Sequence, residues 1–201
     1  MNYRICLLLV FLSASPARAL TVLCLGDSLT EGFGVAKDEA WPAVAEKILR
    51  QKHHDVSMVN AGISGSTTAS GPSRIAWHLK SKQKFDWLFL ALGANDGLRG
   101  QDVVAAKKNL AKTVQAAVDG GIKKTMIAGM KVPTNYGAAY AKSFSEIFPT
   151  LAKELKATLM PFLLEGVAAK PDLNLPDGIH PNAAGHKIVG ERVAKFIEAQ
   201  L

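Results

Sequence analysis

Four short segments, far apart in the chain, carry the side chains that an acyl-transfer reaction needs. They are Gly26-Asp27-Ser28-Leu29-Thr30-Glu31, Asn60-Ala61-Gly62, Gly93-Ala94-Asn95-Asp96 and Asp177-Gly178-Ile179-His180-Pro181-Asn182. Ester hydrolysis requires a nucleophilic oxygen, a base to deprotonate it, a group to orient that base, and donors for the developing oxyanion. Ser28 offers the hydroxyl, His180 the imidazole and Asp177 the orienting carboxylate. Donors are expected from the Ser28 and Gly62 N–H groups and the Asn95 side-chain amide. Asp177 and His180 lie three residues apart on a Pro176–Pro181 loop. That spacing lets the carboxylate accept from Nδ1–H and leaves Nε2 free to take the serine proton. An ordinary imidazole, with a pKa of ~6.5, already suits general-base work near neutrality.

Each segment alone has a blander reading. Ser28 could cap a helix beside a turn-forming Asp27, and Gly62 and Asn95 could be a strand-end glycine and a turn asparagine. The usual Gly-x-Ser-x-Gly elbow is missing, because Thr30 stands where its last glycine would be. No phosphate-binding glycine pattern is present, and no His-Glu-x-x-His or Cys-x-x-Cys suggests a metal, so neither a cofactor nor a metal is expected. His186 is a rival base, but it falls inside the last helical segment with no acid at a useful spacing. His53, His54 and His78 fall on helix or loop faces.

Stepping out from these residues, apolar runs at Thr21–Leu25, Val56–Asn60, Trp87–Leu92, Thr125–Met130 and Thr158–Met160 read as buried strands. Between and after them, Trp41–Lys52, Ser73–Ser81, Gln101–Asp119, Ser143–Lys156 and Asn182–Gln200 read as helices. Pro149 is expected to break or kink the fourth of these. Strands alternating with helices imply parallel pairing, right-handed crossovers and helices on both faces, an α/β three-layer sandwich of five strands. The first three chemical segments then follow the carboxyl ends of the first three strands, where ligands bind in open α/β sheets.

The chain has 201 residues, 48% hydrophobic, which suits one domain. Arg4, the apolar run Ile5–Leu12 and Ala17-Arg18-Ala19 have the order of a secretory signal, so residues 1–19 are expected to be removed and 20–201 to form the domain. The expected destination is the periplasm or the medium. Only Cys24 would then remain, which excludes an internal disulfide, and the residues before it do not suit lipid attachment. The net charge of +7 falls to +5 without Arg4 and Arg18. Its lysines mix with acids and lack interleaved aromatics, which favours solvated faces over a nucleic-acid surface. No stable membrane anchor is expected, only transient contact with lipid.

The ordered blocks Gly26-Asp27-Ser28-Leu29-Thr30-Glu31-Gly32, Asn60-Ala61-Gly62-Ile63-Ser64-Gly65, Gly93–Gly100, Pro133–Gly137 and Asp177–Asn182 resemble the SGNH, or GDSL-type, hydrolase superfamily. Within it the chain is similar to the group of periplasmic multifunctional thioesterase I, lysophospholipase and arylesterase enzymes, over essentially the whole mature length. The resemblance implies Ser28 as nucleophile, His180 as base, Asp177 as orienter, an oxyanion hole of Ser28, Gly62 and Asn95, and a flavodoxin-like five-stranded sheet. Ile63, Leu98, Val132 and Tyr136 are expected to border an open groove for short-to-medium acyl esters. A carbohydrate O-acetyl esterase with the same site, or a non-catalytic binding module, are the alternatives.

Overall fold

The computed structural model describes residues 18–201; most of the expected leader lies outside them. Five strands form one parallel sheet: β1 (Leu20–Gly26), β2 (Val56–Gly62), β3 (Trp87–Ala91), β4 (Lys124–Ala128) and β5 (Thr158–Met160), in the order β2-β1-β3-β4-β5. Reversal of strand order beside β1 puts a crevice between the carboxyl ends of β1 and β3. The central strand β3, Trp-Leu-Phe-Leu-Ala, is buried at every position, as expected for a parallel strand covered on both faces.

Seven helices accompany the sheet among the described residues. Two are single turns at its carboxyl edge: α1 (Ser28–Glu31) follows β1, and α4 (Ala94–Leu98) follows β3. The others are α2 (Trp41–Gln51), α3 (Gly71–Leu79), α5 (Val103–Asp119), α6 (Ala138–Glu154) and α7 (Ala183–Glu198). Helices α2 and α7 pack together on one face, while α3, α5 and α6 adjoin one another on the other. Phe89 reaches the first layer, with its ring 5.2 Å from Trp41 and 6.2 Å from Phe196. Side-chain caps fix the helix starts near the site. Asp27 accepts from Leu29 N–H at 3.0 Å, Asp102 from Ala105 N–H at 2.6 Å, and Asn182 from Gly185 N–H at 3.0 Å.

Helix α6 departs from the sequence reading. It begins five residues earlier than expected and runs unbroken through Pro149. Phe144, Ile147, Phe148 and Leu151 bury one side of it, whereas Pro149 sits on the exposed side. The carbonyl deprived of a partner by proline can therefore turn to water, and the buried face holds the helix together.

Candidate active site

Ser28 is the first residue of α1, immediately beyond β1, and is 8% exposed. The Asp27 cap and the Thr30 and Glu31 N–H bonds to the Asp27 carbonyl (3.0 and 2.9 Å) fix this turn. Ser28 Oγ lies 2.9 Å from His180 Nε2, and His180 Nδ1 lies 2.7 Å from Asp177 Oδ2. Asp177 also accepts from the N–H groups of Ile179 (2.8 Å) and His180 (3.0 Å) through Oδ1. Desolvation pushes its pKa up, but the bonds from His180 and Ile179 outweigh that and bring it down to about 2. Backbone bonds from Leu175 N–H to the His180 carbonyl (2.7 Å) and from Asn182 N–H to the Leu173 carbonyl (3.0 Å) anchor the loop. The Phe33 ring packs 4.7 Å from the imidazole.

His186 is a different kind of histidine. It is 1% exposed, and its Nδ1 accepts from Trp41 N–H at 3.3 Å. Burial pushes its pKa down to about 4, with the nearby His180 adding to the effect and Glu39 opposing it. It is a neutral structural residue of the α2–α7 layer. Asp27 is shifted the other way: burial raises it to about 7 against the lowering effects of the Leu29 N–H, His180 and Arg74.

The Gly62 N–H, expected as an oxyanion donor, already has a partner in the structure. Gly62 N–H donates to Asn60 Oδ1 at 2.9 Å. Its neighbour Ile63 donates to the Gly26 carbonyl of β1 at 3.2 Å, and successive strand amides point to opposite sides. Gly62 N–H therefore faces outward from edge strand β2. Glycine is required there for another reason: a Cβ would collide with the backbone of Glu31. Gly65, three residues on, has φ +76°, and its N–H has no acceptor among the described residues. Its carbonyl accepts from Arg99 Nη2 at 3.4 Å.

Asn95, in the first turn of α4, lies beside this segment. Its Nδ2 donates one N–H to the Ser66 carbonyl at 3.0 Å and keeps the other without an acceptor among the described residues, while Oδ1 accepts from Arg99 at 3.2 Å. These partners orient the amide. Asp96, unassigned from sequence, is 2% exposed and accepts from Thr68 N–H (2.8 Å) and Thr68 Oγ1 (2.6 Å), tying the turn to the loop before α3.

A cavity of ≈ 410 Å³ opens beside the serine, lined by Leu29, Ala94, Leu98, Val132, Phe162 and Ile179 among others. This size is within the range of small-ligand pockets. Of the four expected groove residues, Leu98 and Val132 line it. Ile63 does not: strand alternation continues one residue past β2, so Ile63 shares a separate cleft with Ala61, Trp77 and His78. Tyr136 also lies outside it, with its ring 5.7 Å from that of Tyr140 and packed against Gly100.

Residues 24–188 match the GDSL-like lipase/acylhydrolase family. The chain is 36% identical over 190 residues to an arylesterase of Vibrio mimicus, covering 94% of each chain. It is 38% identical over 192 residues to thioesterase 1/protease 1/lysophospholipase L1 of Escherichia coli K12, covering 96% of this chain and 90% of the relative. The crystal structure of TesA superposes with a TM-score of 0.85 at 35% identity, over 90% of this chain and 99% of that one. Sequence match, relatives and fold agree that the chain belongs to the GDSL-like lipase/acylhydrolase family.

Proposed function

We propose that the protein is an exported serine esterase that cleaves short-to-medium acyl esters through an acyl-enzyme on Ser28. The unbroken path from Ser28 Oγ to His180 Nε2, and from His180 Nδ1 to Asp177 Oδ2, carries this reading. Ser28 Oγ attacks the acyl carbonyl as its proton passes to Nε2. Asp177, an ion at any pH well above 2, holds the imidazolium in register. The tetrahedral oxyanion is received by Ser28 N–H, Gly65 N–H and the second N–H of Asn95 Nδ2. His180 then protonates the departing alcohol or thiol, and water repeats the sequence on the acyl-enzyme.

The acyl chain enters the cavity bounded by Leu98, Val132 and Phe162. Its apolar walls favour chains longer than acetyl, which sets a lipid-type or aryl esterase ahead of a carbohydrate deacetylase. The relatives' names, arylesterase and thioesterase/lysophospholipase, point to the same range of leaving groups. The leader-like first 19 residues support export, so esters and lysophospholipids of the cell envelope are the substrates at hand. The test is hydrolysis of p-nitrophenyl esters from acetate to palmitate by wild type and Ser28→Ala, with fluorophosphonate labelling. Loss of both turnover and labelling in Ser28→Ala is expected; undiminished turnover overturns the assignment.

A further inference from the structure

The loop that carries Gly65 is gripped from the nucleophile's own turn. Glu31, last residue of α1, accepts through Oε2 from Ser64 N–H at 2.7 Å and from the Ser64 hydroxyl. Its main-chain carbonyl accepts from Asn60 Nδ2 at 3.3 Å, and Asn60 Oδ1 holds Gly62 N–H at 2.9 Å. Gly62 itself lies directly against the Glu31 backbone. Beyond Ser64, the turn closes through Ser66 N–H to the Ile63 carbonyl (3.2 Å), and Asn95 and Arg99 hold the Ser66 and Gly65 carbonyls. Gly65 is thus suspended between two anchors, one on α1 and one on α4.

We infer that Glu31 is a positioning residue for the oxyanion hole, clamping Ser64 so that the adjacent Gly65 N–H is aimed at the carbonyl oxygen of the ester attacked by Ser28. The inference rests on the esterase reading above. One side chain, three residues from the nucleophile, sets the distance between the attacking oxygen and a donor on a different loop. Rigid supporting contacts of this kind matter because an oxyanion donor works only at hydrogen-bond distance from the position the anion will occupy. Glu31 and Ser64 are both exposed, so their bond contributes little to global stability. Its effect falls on the transition state.

The test compares wild type with Glu31→Ala, Glu31→Gln, Ser64→Ala and the Glu31→Ala/Ser64→Ala pair on p-nitrophenyl octanoate. Inhibition is measured with octylboronic acid, whose tetrahedral serine adduct carries an anionic oxygen, and with 1-octanol, which fills the acyl groove without one, as ground-state probe. Glu31→Ala is expected to lower kcat about tenfold with KM unchanged, the low end for a charge-assisted bond held in water. Boronate inhibition should weaken by the same factor and 1-octanol inhibition should not move. Glu31→Gln keeps an acceptor oxygen and should recover most of the loss. The pair should be no worse than either single variant, because both remove the same bond.

Full kcat in Glu31→Ala, or equal weakening of 1-octanol and boronate, overturns the clamp. So does additivity in the pair. Failure of the esterase reading is separate: wild type would then neither hydrolyse the ester nor label with fluorophosphonate.

Discussion

The wall of the acyl cavity can be probed by the length of the substrate. Each methylene taken out of water contributes about 0.8 kcal/mol, close to a fourfold gain in kcat/KM. Four methylenes, from butyrate to octanoate, add about 3 kcal/mol when fully covered, on the order of 200-fold; a groove open on one side realises a fraction of this, on the order of 10-fold or more. Val132 lines the cavity, so Val132→Trp fills space that the distal methylenes would occupy. Acetate should be hydrolysed nearly as before, while the octanoate-over-butyrate advantage should shrink to within a fewfold. Ile63 faces the other cleft, with Trp77 and His78. Ile63→Trp should therefore leave the shape of the profile intact, whatever it does to absolute rate. The assay is kcat/KM across the p-nitrophenyl series, each enzyme normalised to its own acetate value. Superimposable profiles for wild type and Val132→Trp would refute the placement of the acyl chain, as would a truncated profile in Ile63→Trp.

Asn95→Ala removes one side-chain donor to the oxyanion and should lower kcat by on the order of 10²–10³, read from steady-state kinetics; a loss below fivefold would take Asn95 out of the hole. Two buried groups should shape stability in opposite senses. His186, held down to about 4, binds its proton only in the unfolded chain between about pH 6.5 and 4, so it weakens the fold as pH falls through that window. Asp27, raised to about 7, binds its proton in the folded chain between about pH 4 and 7, so it weakens the fold as pH rises. In wild type the two gradients therefore oppose each other over pH 4.5–6.5. His186→Asn should expose the Asp27 gradient and lose on the order of 3 kcal/mol across it as pH rises, measured by urea unfolding at each end; parallel profiles for the two proteins would contradict this. Pro149→Ala restores a helix hydrogen bond on an exposed face. It should raise stability by about 1–2 kcal/mol, the helix gain less the lost proline rigidity of the unfolded chain, with kcat unchanged; a fall in urea midpoint would count against it.

What the sequence shows of this site depends on the range of the interactions involved. Asp177 and His180 are readable because their bond spans three residues, and β3 because its run of apolar residues needs no partner to be recognised. Helices α1 and α4, four and five residues long, are too short to display a period, yet they hold Ser28 and Asn95. Gly62 and Gly65 both fit the residue type for a donor. Choosing between them needs the direction of each N–H, which the pairing of β2 with β1 fixes through residues some 35 positions away. The one local signal for Gly65 was its place in an Ile-Ser-Gly-Ser turn that demands positive φ. Phe162 was not foreseen as a wall because it follows the last strand and meets Leu98 and Val132 only when the sheet assembles. Pro149 misled because its cost depends on which side of α6 meets solvent, and propensity alone does not carry that information.

The site is also built in two separable parts. Ser28, Gly65 and Asn95 ride on the carboxyl edge of the sheet, through α1, the loop after β2 and α4. Base and orienter ride together on a loop near the chain's end, bonded to each other and to their own backbone. Displacing that loop as a body breaks the Ser28 Oγ to His180 Nε2 contact and the packing of Phe33 on the imidazole, and leaves the Asp177–His180 pair intact. Heat or detergent that loosens the exposed Pro176–Ile179 stretch would disconnect the site at that seam. Catalysis would then fail while the sheet and the Asp177–His180 bond both persist, and it would return when the loop docks again.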